Sequence, residues 1–272
     1  MDPNTFFDRY AISTWLYKDY PLDESLRRIA GAGFRWVEIW ADGCHLDPRL
    51  DPDLDATRRL LADLGLGAHS VHTPFSGLNI GHPKLGDPAV WSRLVGESIR
   101  GAGALGASAC VVHVSSYQEA LPDFLVPDAK AAVRDLVARL VEVAEAAGTR
   151  VALENMIARA YWRQGTTLAE LVADFPDSRV GFCLDTGHAA LNRASQTAEV
   201  NAAGERLITI HAANNDGNTD LHTPPTEGVI DWSEVTRALD GIGYKHHLAL
   251  ETHGRGAPDA VLARLARLHL EL

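Results

Sequence analysis

Cysteine is scarce in this sequence. The three present, Cys44, Cys110 and Cys183, stand far apart with no CxxC pair. That leaves no disulfide framework to read, and they fit small buried hydrophobes in a reducing compartment. Long apolar runs are missing too, and none approaches the ~18 residues of a membrane span. The N-terminal MDPNTFFDRY has neither the basic region nor the apolar stretch of a secretion signal. A soluble, cytoplasmic protein with no membrane partner is expected. Positive charge is in deficit, with 25 Lys and Arg against 36 Asp and Glu, for a net charge of -11. Charge-driven binding to nucleic acid is therefore disfavoured. No GxGxxG follows the first strand-like run, so no nucleotide cofactor is expected. No linker or break in composition divides the 272 residues. Residues 1–272 are expected to form one domain.

What the sequence does hold is alternation. Apolar strand-like runs occupy residues 9–16, 36–41, 67–75, 109–115, 151–156, 180–186, 207–213 and 247–252. Their apolar density suggests burial on both faces, as parallel strands require. The segments between them have helical character. Over 128–147, Val133, Val137, Leu140, Val141 and Ala144 form one stripe, with Arg134, Asp135, Arg139 and Glu142 mostly opposite. Asp231 with Glu234, and Thr167 with Glu170, match the capping-box pattern, and Ile230 with Val235 matches a hydrophobic staple. Glycines fall where helices should stop: Gly31 or Gly33, Gly65, Gly106, Gly148, and Gly241 or Gly243. Eight β-then-α units predict the α/β class, as a single (β/α)8 TIM barrel with its site at the C-terminal strand ends.

The residues at those strand ends carry the chemistry. His72 ends the third strand, His113 the fourth, Glu154 the fifth and Asp185 the sixth. His188 follows in DTGH, His211 ends the seventh strand, Glu251 ends the eighth, and Asp220 and His222 lie between the last two. Each alone reads as a hydrogen-bonded structural residue. Together at one barrel mouth they would repel or stay unpaired, and unpaired buried charge costs several kcal/mol. A divalent cation resolves the conflict. A core of Glu154, Asp185, His211 and Glu251 is mainly oxygen, which suits Mn2+, Mg2+, Co2+ or Zn2+. If His72, His113, His188, Asp220 and His222 also bind metal, the added nitrogen favours Zn2+ and more than one ion.

Seven segments in order resemble the xylose isomerase-like barrel superfamily. They are VHTPF (71–75), VVHVSS (111–116), LEN (153–155), CLDTGH (183–188), IHAANND (210–216), DLHTPPTEGVIDW (220–232) and LALETH (248–253). The resemblance covers nearly the whole chain. Its sugar-epimerase branch implies one metal on Glu154, Asp185, His211 and Glu251, and a ketose-like substrate. It also implies a metal-stabilised enediolate, with Glu154 and Glu251 as acid/bases and His188 touching a substrate oxygen. The same resemblance admits two other reactions. One is a multinuclear zinc phosphodiesterase like endonuclease IV, whose ligand types all have matching positions here. The other is an inosose- or dehydroshikimate-type dehydratase. MIARAYWRQG after LEN, DTGH rather than DTCH, EGVIDW and the few loop lysines favour the sugar branch. Family habit implies a homo-oligomer, although no interface is marked.

Specificity should lie in the strand-to-helix loops. Trp15, Tyr17, Trp40, Phe75, Tyr161 and Trp162 are placed to wall a sugar's apolar face. Trp15, with His72, is expected at the substrate. Arg159 and Arg163 are placed to meet a phosphate or carboxylate, and Arg163 is counted with the substrate contacts.

Overall fold

A strand forms within every strand-like run, because almost every residue there is buried on both faces, although the run 9–16 is extended only over Tyr10–Ser13 and continues as a 3-10 turn at Thr14–Tyr17. The computed structural model describes residues 1–117, 120–157, 160–176 and 178–272. Its strands are β1 (Tyr10–Ser13), β2 (Trp36–Trp40), β3 (Gly67–His72), β4 (Ala109–His113), β5 (Val151–Glu154), β6 (Val180–Asp185), β7 (Leu207–His211) and β8 (Leu248–Leu250). Each pairs in parallel with the next, and β8 pairs with β1, closing the barrel. The register sets neighbouring strand ends level, with His113 beside Glu154 and Asp185 beside His211. It shifts at two places, between Val37 and Glu38 on β2 and between Phe182 and Cys183 on β6. Such irregularities re-aim side chains near sites.

The helices are α1 (Pro3–Arg9), α2 (Leu22–Gly31), α3 (Leu54–Leu64), α4 (Pro88–Ala104), α5 (Val126–Ala147), α6 (Gly165–Val172), α7 (Thr186–Leu191), α8 (Gln196–Ala203), α9 (Trp232–Gly241) and α10 (Pro258–Leu265). The α5 stripe is buried at Val133, Val137, Leu140 and Ala144, and half-buried at Val141. Gly65 and Gly148 end α3 and α5 in the left-handed region, at φ 65° and 72°. There the missing Cβ removes the usual penalty. None of the helices described is long and apolar enough to cross a membrane.

Both capping boxes are corrected. Asp231 does cap α9, accepting from Ser233 N at 2.9 Å. Glu234, however, reaches a different helix. Its Oε1 accepts from Thr197 Oγ1 at 2.9 Å and Thr197 N at 3.2 Å, serving the exposed donors at the start of α8. Thr167 lies inside α6, which begins at Gly165, and its hydroxyl donates back to Gln164 O at 2.8 Å. Glu199 of α8 takes the Gly165 N–H at 2.5 Å. In both cases a donor at the start of one helix is met by a carboxylate from another helix.

Candidate metal centre

The closed barrel brings its strand ends to one mouth. Donor atoms of Glu154, Asp185, His211 and Glu251 all lie within 4.8 Å of one another. Glu251 is the first residue past β8, and all four side chains are buried. His211 Nδ1 stands 3.1 Å from Glu251 Oε2, 3.2 Å from Glu154 Oε1 and 3.8 Å from Asp185 Oδ2. His72 forms a second group with Glu154 and His211, and Asp185, His188 and His222 form a third. His113 Nε2 lies 2.9 Å from Glu154 Oε2. Asp220 bridges His188 and His222, at 3.4 and 3.2 Å.

Local structure aims these groups. Asp185 caps α7, with Oδ1 accepting from His188 N at 2.6 Å. That cap uses one carboxylate oxygen and leaves Oδ2 buried, with no hydrogen-bond donor among the described residues. Asn155 ties the ends of β5 and β6 together. Its Oδ1 accepts from Asp185 N at 2.6 Å, and its Nδ2 donates to Asp185 O at 3.0 Å. The histidine tautomers follow from their partners, because a carbonyl can only accept. Nδ1–H donates to a backbone carbonyl in His72 (Thr73 O, 2.9 Å), His188 (Asn155 O, 2.8 Å) and His222 (Glu251 O, 3.1 Å). Each therefore keeps Nε2 for the mouth. Histidine ligands in metal sites are commonly held this way. His222 also takes a left-handed backbone, φ 46°, a strained state for a non-glycine residue that its neighbours must hold in place.

One member of the site was not singled out in the sequence. Glu38 on β2 is fully buried, and its Oε2 stands 3.1 Å from His211 Nε2 and accepts from Ser70 Oγ at 2.8 Å. An acid in the middle of the apolar run WVEIW was the available signal.

The same geometry sets the protonation of the metal-free cluster. Burial pushes Glu154 up, but His113 and His211 outweigh it and hold this carboxyl well below the usual range. Burial likewise opposes the drop of Glu251, which His211 and His222 bring to about 2. For Asp185 burial wins, and its carboxyl is pushed up to about 6. Burial works against charging His222, yet Asp220, Glu251 and Asp185 hold it at about 9. A histidine raised from about 6.5 stabilises the fold fully below that pH, and loses the contribution as pH rises through 9. Its share is on the order of 3 kcal/mol. Chelator-treated protein should therefore melt several degrees lower at pH 9.5 than at pH 6. A melting temperature that is level or rising over this interval would contradict the charged cluster.

Above these groups opens a cavity of about 790 Å3, a size that suits a small ligand. Trp15, Trp40 and Phe75 supply its apolar wall. Trp15 meets His222 edge-on at 4.8 Å, Trp40 lies 4.8 Å from His72, and Phe75 stacks on His113 at 4.1 Å. The other three aromatic residues do not line it. Tyr17 is buried and donates to Asp259 at 2.7 Å, Trp162 is in the core, and Tyr161 packs under Lys130 at 4.3 Å. Arg163 is exposed and outside the lining of this cavity. Arg159 lies outside the described residues.

Comparison with known proteins agrees with this architecture. The uncharacterized protein MJ1311 of Methanocaldococcus jannaschii is 28% identical over 269 residues, spanning 97% of this chain and 90% of its own length. A solved D-tagatose 3-epimerase-like protein superposes with a TM-score of 0.80 at 26% identity, covering 97% of each chain. An AP endonuclease, family 2, from Brucella melitensis gives 0.76 at 20% identity over 95% of this chain and 98% of its own, a likeness of fold alone. Residues 26–271 match the family model of the xylose isomerase-like TIM barrel. With that match and a barrel closed over a mouth lined with acids and histidines, the chain is an enzyme of the xylose isomerase-like TIM barrel family.

Proposed function

We propose that this protein is a divalent-metal-dependent epimerase or isomerase of a ketose or ketose-like sugar. The observation that carries the reading is the set of four buried donors, one from each of four strand ends, beneath an aromatic-walled cavity. The donor set fits a cation on two grounds. Among the described residues Asp185 Oδ2 is buried without a hydrogen-bond donor, and the groups around His211 Nδ1 are carboxylates. Glu154, Asp185, His211 and Glu251 would hold the ion, whether Mn2+, Mg2+, Co2+ or Zn2+. When bound, it supplies positive charge to oxygens of the substrate beside the carbon that loses a proton.

The remaining chemistry belongs to this chain's own side chains. Glu154 and Glu251 stand on non-adjacent strands and flank the substrate. One takes the C–H proton and the other returns one, inverting the centre or moving the carbonyl. His188 and His72 present Nε2 to substrate oxygens, and Trp15 covers an apolar sugar face. The D-tagatose 3-epimerase-like neighbour makes D-tagatose the first substrate to try. Mn2+-loaded protein incubated with D-tagatose in D2O should give an isomer that carries one solvent deuterium on carbon. Loss of water from the product would favour a dehydratase. Absence of both exchange and product across a panel of ketoses would contradict the proposal.

A second reading has its own observation. Asp185, His188 and His222, with Asp220 beside them, form a further donor group next to the first. Such a set favours a multinuclear zinc phosphodiesterase acting at abasic sites. Two or more zinc ions per chain and cleavage of an abasic-site duplex would establish it.

A further inference from the structure

His211 differs from three other histidines of the mouth. His72, His188 and His222 anchor through Nδ1 on backbone carbonyls, whereas His211 turns Nδ1 toward Glu154, Asp185 and Glu251. Its Nε2 crosses the barrel to Glu38 Oε2, 3.1 Å away on β2. A carboxylate accepts, so Nε2 must carry the hydrogen. Without an ion, Nδ1 carries a second hydrogen toward Glu154 and Glu251, 3.2 and 3.1 Å away; with an ion there, the neutral ring would offer the Nδ1 lone pair and keep its one hydrogen on Nε2.

The barrel builds this contact deliberately. Between Val37 and Glu38 the β2–β3 register shifts, so that Glu38 pairs with Ser70. Ser70 Oγ then donates to the same Oε2 at 2.8 Å, fixing the oxygen that faces His211. Glu38 is fully buried, and Oε1 has no hydrogen-bond donor among the described residues. The residue does not line the substrate cavity. A buried acid placed this way is costly unless its neighbours use it. Its position matches the carboxylate behind a metal-ligating histidine, which sets ring orientation and raises basicity.

We propose that Glu38 is a positioning residue: it locks the ring and tautomer of His211 so that Nδ1 faces the ion. This rests on the metal-site reading above. The test uses the full chain, stripped with chelator and titrated with Zn2+ against a chromophoric chelator. Glu38→Leu should weaken Zn2+ binding by about 100-fold and Glu38→Gln by about 10-fold. The second variant keeps the shape of the side chain, and guards against a Leu variant that does not fold. A 1H–15N spectrum of the Zn2+-loaded wild type should show a hydrogen-bonded His211 Nε2–H far downfield, which the variants lose or shift. Wild-type affinity with an unmoved resonance in Glu38→Gln overturns the assignment. Weaker binding with an unmoved resonance overturns it too, because only stability would then have changed. A wild type that takes up no divalent ion, Zn2+ or Mn2+, overturns the metal site along with it.

Discussion

Replacing Glu154 or Glu251 with Gln is expected to lower kcat on a ketose substrate by about 10²–10⁴-fold, the range for losing a general acid or base. The amide keeps the size of the carboxylate but cannot take a proton. Both groups are buried beside His211, at 3.2 and 3.1 Å, so each substitution changes the charge of the site without opening space. If the two acids work from opposite faces, the variants should also differ from each other. Each should still wash solvent deuterium into one epimer and fail with the other, because the surviving acid reaches only one face. Epimer-resolved exchange in D2O, with metal content checked in the same samples, measures this. Full turnover in either variant would sink the two-acid mechanism.

His211→Ala should abolish metal-dependent stabilisation. His211 Nδ1 faces all three carboxylates of the core, so its loss removes the only nitrogen from that set. The affinity loss should exceed 100-fold, more than a residue behind the ligands costs. At an ion concentration about 100 times Kd, the wild type gains about 2.7 kcal/mol. That raises Tm by roughly 5 °C for a chain of this length. His211→Ala should melt at one temperature with or without the ion. A rise equal to that of the wild type would mean that the ion sits elsewhere.

The barrel was legible because each strand is a short apolar run and several helices stop at a glycine, as α3 does at Gly65 and α5 at Gly148. The donors were legible because parallel register sets strand ends level, so acids and histidines at those ends had to meet. What stayed hidden depends on contacts across the fold. Glu234 fits a local capping pattern, but its partner, Thr197, is in another helix. Tyr17 and Trp162 follow strands as Trp15 does, yet they turn into the core. Glu38 looked like one acid in an apolar strand, and only barrel closure and the shift after Val37 bring it to His211. The helix α1 was missed because PNTFFDR is too short to show a helical stripe. It is held by its Asp2 cap, Pro3 at the first turn, and Phe6 stacking on Tyr10 at 4.6 Å.

The most direct test is elemental analysis of the natively purified protein, expressed as ions per chain. About one divalent ion, as Mn, Co, Mg or Zn, is the expected result, and it should be absent from His211→Ala. Two or three zinc ions per chain would move the account to the multinuclear site of Asp185, His188, Asp220 and His222. No ion, even after refeeding, would contradict a metal centre at the barrel mouth.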